Sequence, residues 1–206
     1  MAIRLADTDG LANLSMSSLA RELGCSKMAL YRYIPGRSEL VALMTNAAMG
    51  APPAGHVRFA SPQECRNRLD RLALELFRRY IAHPWMIAPI SHARVPGPQE
   101  LGWLESILEA LGGIGVHPTR TRDVMALLDG QLRGLANQMI AAQNMDGSEN
   151  NPVEQLTRAL PAQTSQFPRA VAYLSAPEWG ADREDALRFG VECVLNHLDL
   201  HPHPER

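Results

Sequence analysis

The spacing of the apolar side chains constrains this chain more than any other feature. From end to end they recur three and four residues apart, the period of a helix with one buried face. Strand signals are scarce: there is no Asn-Gly hairpin and no sustained alternation of apolar and polar residues. The sequence therefore predicts an all-α fold. Hydrophobic residues make up 46% of the chain, enough to fill a core and too many for wholesale disorder.

Punctuation along the chain divides the pattern. Gly10 ends a short first helix. Ser15 is placed to cap a second, Met16 to Leu23, with Leu19, Ala20 and Leu23 on one face, and Gly24 can end it. A third helix is expected over roughly Lys27 to Tyr33, closed by Pro35-Gly36, and a fourth from near Ser38 with Leu40, Val41, Leu43 and Met44. Residues 51–60 read as a connector. Ser61-Pro62-Gln63-Glu64 then opens a long helix with a cap, a first-position proline and a reciprocal glutamate. His83-Pro84 ends it. Shorter helices are expected at about 85–92 and 99–112, the second closed by Gly112-Gly113. A long apolar helix should run from Thr119 to about Gln143, followed by a polar loop at 144–152, a broken helical stretch at 153–175 and a last helix from Asp182 to Leu200. Two domains follow, 1–48 and 49–206.

The pattern most informative about function is Leu14 to Tyr33. Two short helices meet at a glycine, with Leu19, Ala20, Cys25 and Leu30 able to pack where they cross, as in a helix-turn-helix that lays its second helix in the DNA major groove. Charge supports this. The formal net charge of the chain is −2, yet between Ser15 and Ser38 Arg21, Lys27, Arg32 and Arg37 face only Glu22. Lys27 is the only lysine in the chain. Tyr31 and Tyr33 can offer hydroxyls to phosphates, and Met28 and Ala29 can meet base edges or thymine methyls. Ser15 and Ser17 sit where a helix start can hold a phosphate, and Arg37 adds positive charge beyond the second helix.

Three stretches resemble the DNA-binding domain of the TetR (tetracycline repressor-like) family over residues 2–48. They are Gly10-Leu11 with Leu14-Ser15-Met16, then Leu19-Ala20-Arg21-Glu22-Leu23-Gly24, then Ala29-Leu30-Tyr31-Arg32-Tyr33-Ile34-Pro35-Gly36-Arg37-Ser38-Glu39-Leu40. The remainder resembles more loosely the C-terminal subclass of the tetracycline repressor itself, through His83-Pro84-Trp85, Gly97-Pro98, Gly130-Gln131-Leu132-Arg133-Gly134 and Arg188-Phe189-Gly190-Val191-Glu192. The resemblance implies an N-terminal three-helix helix-turn-helix domain and a C-terminal helical bundle that binds an effector and dimerises. It also implies a homodimer released from a double-stranded DNA operator when a small molecule binds. Family members usually carry a longer first helix, often after a basic arm, whereas only nine residues precede Gly10; either the start is trimmed or misassigned, or DNA contact at that edge is reduced.

For the effector, Trp85, Met86, Ile90, Trp103, Ile107, Leu128, Leu132, Met139 and Phe167 are the candidate apolar lining, with Gln131, Asn137, Gln138 and His92 as candidate polar partners. Most such residues serve as ordinary core. The expected ligand is small and hydrophobic. The last helix carries two apolar stripes, Leu187, Val191, Val194 and Leu198 on one face, with Ala186, Gly190 and Cys193 beside them. That is one stripe more than a surface helix needs. With Gly130 and Gly134 allowing close approach on the long helix, a four-helix dimer bundle is expected.

Other functions have less support. No Gly-rich phosphate loop, GxSxG, HExxH or paired carboxylates with a base is present, so an enzyme is not expected and no cofactor is implied. The His201-Pro202-His203 tail could chelate a metal, though such a tail is more often simply mobile. Cys25, Cys65 and Cys193 lack zinc spacing and are expected to be reduced, mostly buried thiols. No signal-peptide pattern or run of about 20 apolar residues occurs, and a cytoplasmic protein is expected. The alternatives are a helical small-molecule binder without DNA binding, or an activator in place of a repressor.

Overall fold

A computed structural model describes residues 1–54, 59–90, 95–145, 165–174 and 183–200, and within these every regular element is helical. The N-terminal unit, the candidate reading unit, comprises α1 (Ala2–Asp9), a 3₁₀ turn (Leu11–Asn13), α2 (Met16–Glu22), α3 (Lys27–Tyr33) and α4 (Arg37–Met49). The second part comprises α5 (Pro62–Ala82), a 3₁₀ turn (Pro84–Met86), α6 (Ile87–Ile90), α7 (Pro98–Ile114), α8 (Pro118–Met145), α9 (Pro168–Leu174) and α10 (Glu184–Leu200).

The helix starts follow the side chains that can replace missing backbone partners. The Ser18 N–H donates to Ser15 Oγ at 3.0 Å while the Ser15 N–H donates to Ser18 Oγ at 3.0 Å, a reciprocal cap on α2. Ser26 caps α3 by accepting from Ala29 N–H at 3.1 Å. Ser61 accepts from Glu64 N–H, and the Glu64 carboxylate reaches back to the Ala60 N–H at 2.8 Å. Gly24, at φ 66, ends α2 and lets Cys25 N–H reach the Ala20 carbonyl at 3.0 Å. This closing turn aims α3 across α2.

One expected boundary is corrected. Gly112-Gly113 does not close α7, which continues to Ile114 and stops at Gly115, at φ 91. A Cβ at Gly113 would fall on the Cys65 sulfur, so this glycine serves a close approach between α7 and α5. The polar loop at 144–152 and the broken stretch at 153–175 fall largely outside the described residues.

A continuous apolar cluster runs from Ala6 and Leu14 in the reading unit through Leu72, Phe77 and Leu111 to Leu187 and Val191. At its centre α5 packs against α7, α8 and α10. Leu69, Leu72, Leu76 and Tyr80 follow the expected spacing and are all buried. The bidentate pair from Arg78 to Glu184, at 2.8 and 3.1 Å, ties α5 to α10 at the surface. Of the cysteines only Cys65 is buried; Cys25 and Cys193 are exposed, contrary to expectation, and Cys25 takes no part in the α2–α3 crossing.

Leu72 is fully enclosed. Leu72→Ala should therefore lower the unfolding free energy by about 2–5 kcal/mol, read from urea denaturation. A loss under about 1 kcal/mol would mean that α5 is not the centre of the core.

Candidate nucleic-acid interface and ligand cavity

The reading face is built on α3. Leu30 is its buried anchor, resting on the buried Leu19 and Ala20 of α2. The other side of the helix faces solvent: Lys27 is exposed, Met28 is 76% exposed and Tyr33 78%, with Tyr31 at 37% and Ala29 half-buried. Two exposed groups of this apolar size on one short helix need a reason beyond folding. The Lys27 ammonium lies 5.8 Å from the Tyr31 ring centroid, and the Arg32 guanidinium 5.9 Å from that of Tyr33. Each cation is thus held over a ring beside a phenolic hydroxyl. Ser15 and Ser17 are exposed at the start of α2, and the Ser15 hydroxyl is already engaged in the cap.

Arg37 behaves differently from the expectation. Its guanidinium donates to the Leu14 carbonyl at 2.6 Å and the Leu11 carbonyl at 2.7 Å. It braces the turn ahead of α2 against the start of α4.

The reading unit is joined to the second part at two places. At the end of α4, Arg79 donates to the carbonyls of Ala48 and Met49 and Trp103 Nε1 donates to the Gly50 carbonyl at 2.9 Å. The Arg79 guanidinium also lies 5.5 Å from the Trp103 ring centroid. One turn earlier, Asn46 accepts from the Gln99 N–H at 2.8 Å at the start of α7, and Gly97 leaves room for it. At α1, the Asp7 carboxylate oxygen Oδ1 receives Trp85 Nε1 at 2.7 Å and lies 2.8 Å from His83 Nδ1. Sequence reasoning missed Asp7, Asn46, Arg79 and His83 as joints, since each partner lies far away along the chain.

Between α5, α7 and α8 is a cavity of about 270 Å³. Leu69, Ala73 and Leu76 line it from α5 and Ile107 from α7, while α8 supplies Leu128, Leu132 and one charged group, Asp129. The sequence candidates Ile107, Leu128 and Leu132 are thus brought together. Trp85, Met86 and Trp103 are buried elsewhere in the core, the two tryptophans serving as the joints just described. Gln131 donates to the carbonyls of Ala186 and Leu187 at 3.1 and 3.3 Å, fastening α8 to α10. Met139 is half-buried away from the cavity, Phe167 is 50% exposed, and Asn137 and Gln138 are exposed. The Ile90 side chain, His92 and the His201-Pro202-His203 tail lie outside the described residues.

Asp129 is held by Arg133 through two contacts, Nε to Oδ1 at 2.8 Å and NH2 to Oδ2 at 2.6 Å. Beside them Tyr80 is buried and hydrogen-bonded to Arg133. Its phenol is pushed up to about 12, chiefly by burial and then by the Asp129 charge.

An outward face is formed by α8 and α10 together. Leu127 is 60% and Phe189 69% exposed, Cys193 is exposed, and Gly130 and Gly134 have nothing near the position of a Cβ. Gly190 belongs instead to the inner side, because a Cβ there would fall on the Gln131 amide. Among the described residues no group of three His, Cys, Asp or Glu side chains could hold a metal, and no helix is long and apolar enough to cross a membrane.

No protein-family model matches the chain. It is 27% identical over 205 residues to the HTH-type transcriptional repressor DrrR1 of Streptomyces coeruleorubidus, a match covering 97% of this chain and 74% of that one. An HTH-type transcriptional regulator of Saccharopolyspora erythraea is 29% identical over 114 residues, 55% of this chain and 47% of the relative. Among solved structures, the Streptomyces coelicolor TetR family protein ActR in complex with actinorhodin superposes with a TM-score of 0.77 at 22% identity, over 97% of this chain and 93% of ActR. The Streptomyces coelicolor TetR regulator SCO7222 superposes with a TM-score of 0.72 at 25% identity, over 98% and 95%. The fold is that of the TetR family, with an N-terminal helix-turn-helix and a C-terminal helical domain.

The Tyr80 environment sets an alkaline limit. Its folded pKa, about 12, lies above the ordinary value of 10.0. The folded state therefore keeps the proton longer, so the contribution is whole below pH 10 and is lost as pH rises towards 12. Tyr80→Phe should remove roughly 2–3 kcal/mol of pH-dependent loss across that window. Urea unfolding of both forms at pH 9 and pH 11.5 checks it, and parallel slopes would refute it.

Proposed function

We propose that this TetR-fold chain is a ligand-responsive DNA-binding transcriptional regulator, a homodimeric repressor that leaves a palindromic operator when a small hydrophobic effector enters the cavity. The observation that carries the reading is the exposed face of α3. Lys27, Met28, Ala29, Tyr31 and Tyr33 present cations, hydroxyls and apolar contacts on a helix whose opposite side is anchored by Leu30. A chain of net charge −2 that concentrates its only lysine and several arginines here is suited to one local anionic partner. DrrR1 is a transcriptional repressor and ActR has been solved with actinorhodin bound, which supports repression and effector binding as the form of regulation.

In the proposed complex Ser15 and Ser17 meet phosphates at the start of α2, while α3 lies in the major groove. Arg37 contributes by bracing the turn beneath α2 as much as by its charge. The outward faces of α8 and α10, with Leu127, Phe189, Gly130 and Gly134, pair across a two-fold axis and set two copies of α3 on successive grooves. An occupant of the cavity displaces α5 or α7, and Arg79 and Trp103 pass that displacement to the end of α4. A tenfold loss of operator affinity requires only about 1.4 kcal/mol of differential binding.

Selection of duplexes from a random DNA library at a fixed moderate salt concentration should recover a palindrome. With that operator, Lys27→Ala should weaken binding about tenfold and reduce the salt slope by about one phosphate contact. Tyr31→Phe should weaken binding by a smaller factor. Both variants should remain dimers by sedimentation. Dimer loss in either, or unchanged operator affinity, would refute the assignment of α3 as reader.

A further inference from the structure

The cavity carries information about its ligand beyond hydrophobicity. Its volume, about 270 Å³, is well above the roughly 150 Å³ of an apolar protein cavity that accepts benzene. It has room for a body of two or three fused rings. Among the described residues its lining is apolar, the Met125 side chain included, except for Asp129 on α8.

That carboxylate is not a bare charge. Arg133 holds both its oxygens, at 2.8 and 2.6 Å, and Arg133 also bonds to the buried Tyr80. The guanidinium is thereby committed to groups on its own side. Each carboxylate oxygen has two acceptor sites, and one salt-bridge contact fills only one of them. Asp129, at the cavity wall, therefore keeps further acceptor capacity beyond its pair with Arg133. A ligand hydroxyl or N–H can use it. A ligand carboxylate would place a second negative charge beside Asp129 while the nearby cation is occupied.

Resting on the reading of this cavity as the effector site, we infer that it selects apolar molecules of two or three rings that carry a neutral hydroxyl or N–H donor, received by Asp129, and rejects their carboxylates. Asp129 is the specificity-determining residue and Arg133 positions it.

Three probes of one ring system test this by calorimetry on the full chain: naphthalene, 2-naphthol and 2-naphthoate. Naphthol should bind about tenfold more tightly than naphthalene, and naphthoate should not bind measurably. In Asp129→Ala the naphthol advantage should vanish. Arg133 then loses its carboxylate partner, and naphthoate should become the preferred probe. Asp129→Asn keeps the volume and one acceptor; it should hold naphthol within a few-fold and admit naphthoate. Leu132→Trp, which fills the cavity, should abolish binding of every probe. A merely structural Asp129 would weaken all three probes together and reverse no preference.

Equal binding of naphthalene and naphthol leaves the cavity as a ligand site and overturns the inference. So does naphthoate binding more tightly than naphthol to the native chain, or an undiminished naphthol preference in Asp129→Ala. Binding of none of the three, or binding that survives Leu132→Trp, overturns the cavity reading and the inference with it.

Discussion

The grip on the last turn of α4 is the interaction on which the rest of this molecule depends. A helix ends with carbonyls that have no partner of their own. Here those of Ala48, Met49 and Gly50 are taken up by Arg79 and Trp103, which belong to α5 and α7. A charge-assisted bond of this kind contributes about 1.5–3 kcal/mol when it is shielded from water. Together with the Asn46 contact to α7, the Asp7 joint at α1 and the shared apolar core, it ties the orientation of α3 to the second part.

The same two helices line the cavity, and at neighbouring positions. Leu76 stands one turn before Arg79 on α5, and Ile107 one turn after Trp103 on α7. A helix transmits a shift over one turn, about 5 Å, almost undiminished. An occupant that presses on Leu76 or Ile107 therefore acts on the side chains that hold α4. The Asp7 carboxylate, shared between His83 and Trp85, makes a second joint at α1. With two joints, the reading unit can pivot as a body, because a hinge needs only a few residues to absorb the change. Under the proposed function, coupling would require two arrangements of this packed interface that DNA and ligand favour differently.

How much of this was legible in the sequence follows from the range of each interaction. The caps at Ser15 and Ser61 and the stops at Gly10, Gly24 and Pro35-Gly36 involve residues within a few positions, and they read correctly. So did the buried stripe of α5, because helical period fixes a face without knowing what covers it. Gly112-Gly113 misled because glycine in a helix usually signals a stop, whereas Gly113 is there to let Cys65 approach. The bracing by Arg37 went unread because sequence reports a charge and not its direction; the carbonyls it serves lie more than twenty residues earlier. Of the apolar candidates, Ile107, Leu128 and Leu132 do line one cavity, whereas Trp85, Trp103 and Gln131 carry polar groups whose partners are set only by the tertiary fold. Asp129 passed unnoticed because an Asp four residues before an Arg on a helix is an ordinary surface pair.

One helix unites the remaining requirements. α8 spans 28 residues, and successive positions rotate by about 100°. Leu128 and Leu132 line the cavity, while Gly130 and Gly134, two positions on, point about 200° away to the outward face. Ligand and proposed partner subunit thus sit on opposite sides of the same rod. In the proposed dimer, small residues on the outer side would let a second copy approach closely and hold α8 still, since a close backbone contact tolerates little sliding. If α8 is held by its symmetry mate, displacement caused by a ligand must go into α5 and α7. Those helices, through Arg79 and Trp103, hold α4. Under the proposed function, the direction of the response then follows from the placement of two glycines and two leucines on one helix, and it leads from the proposed two-fold axis towards α3.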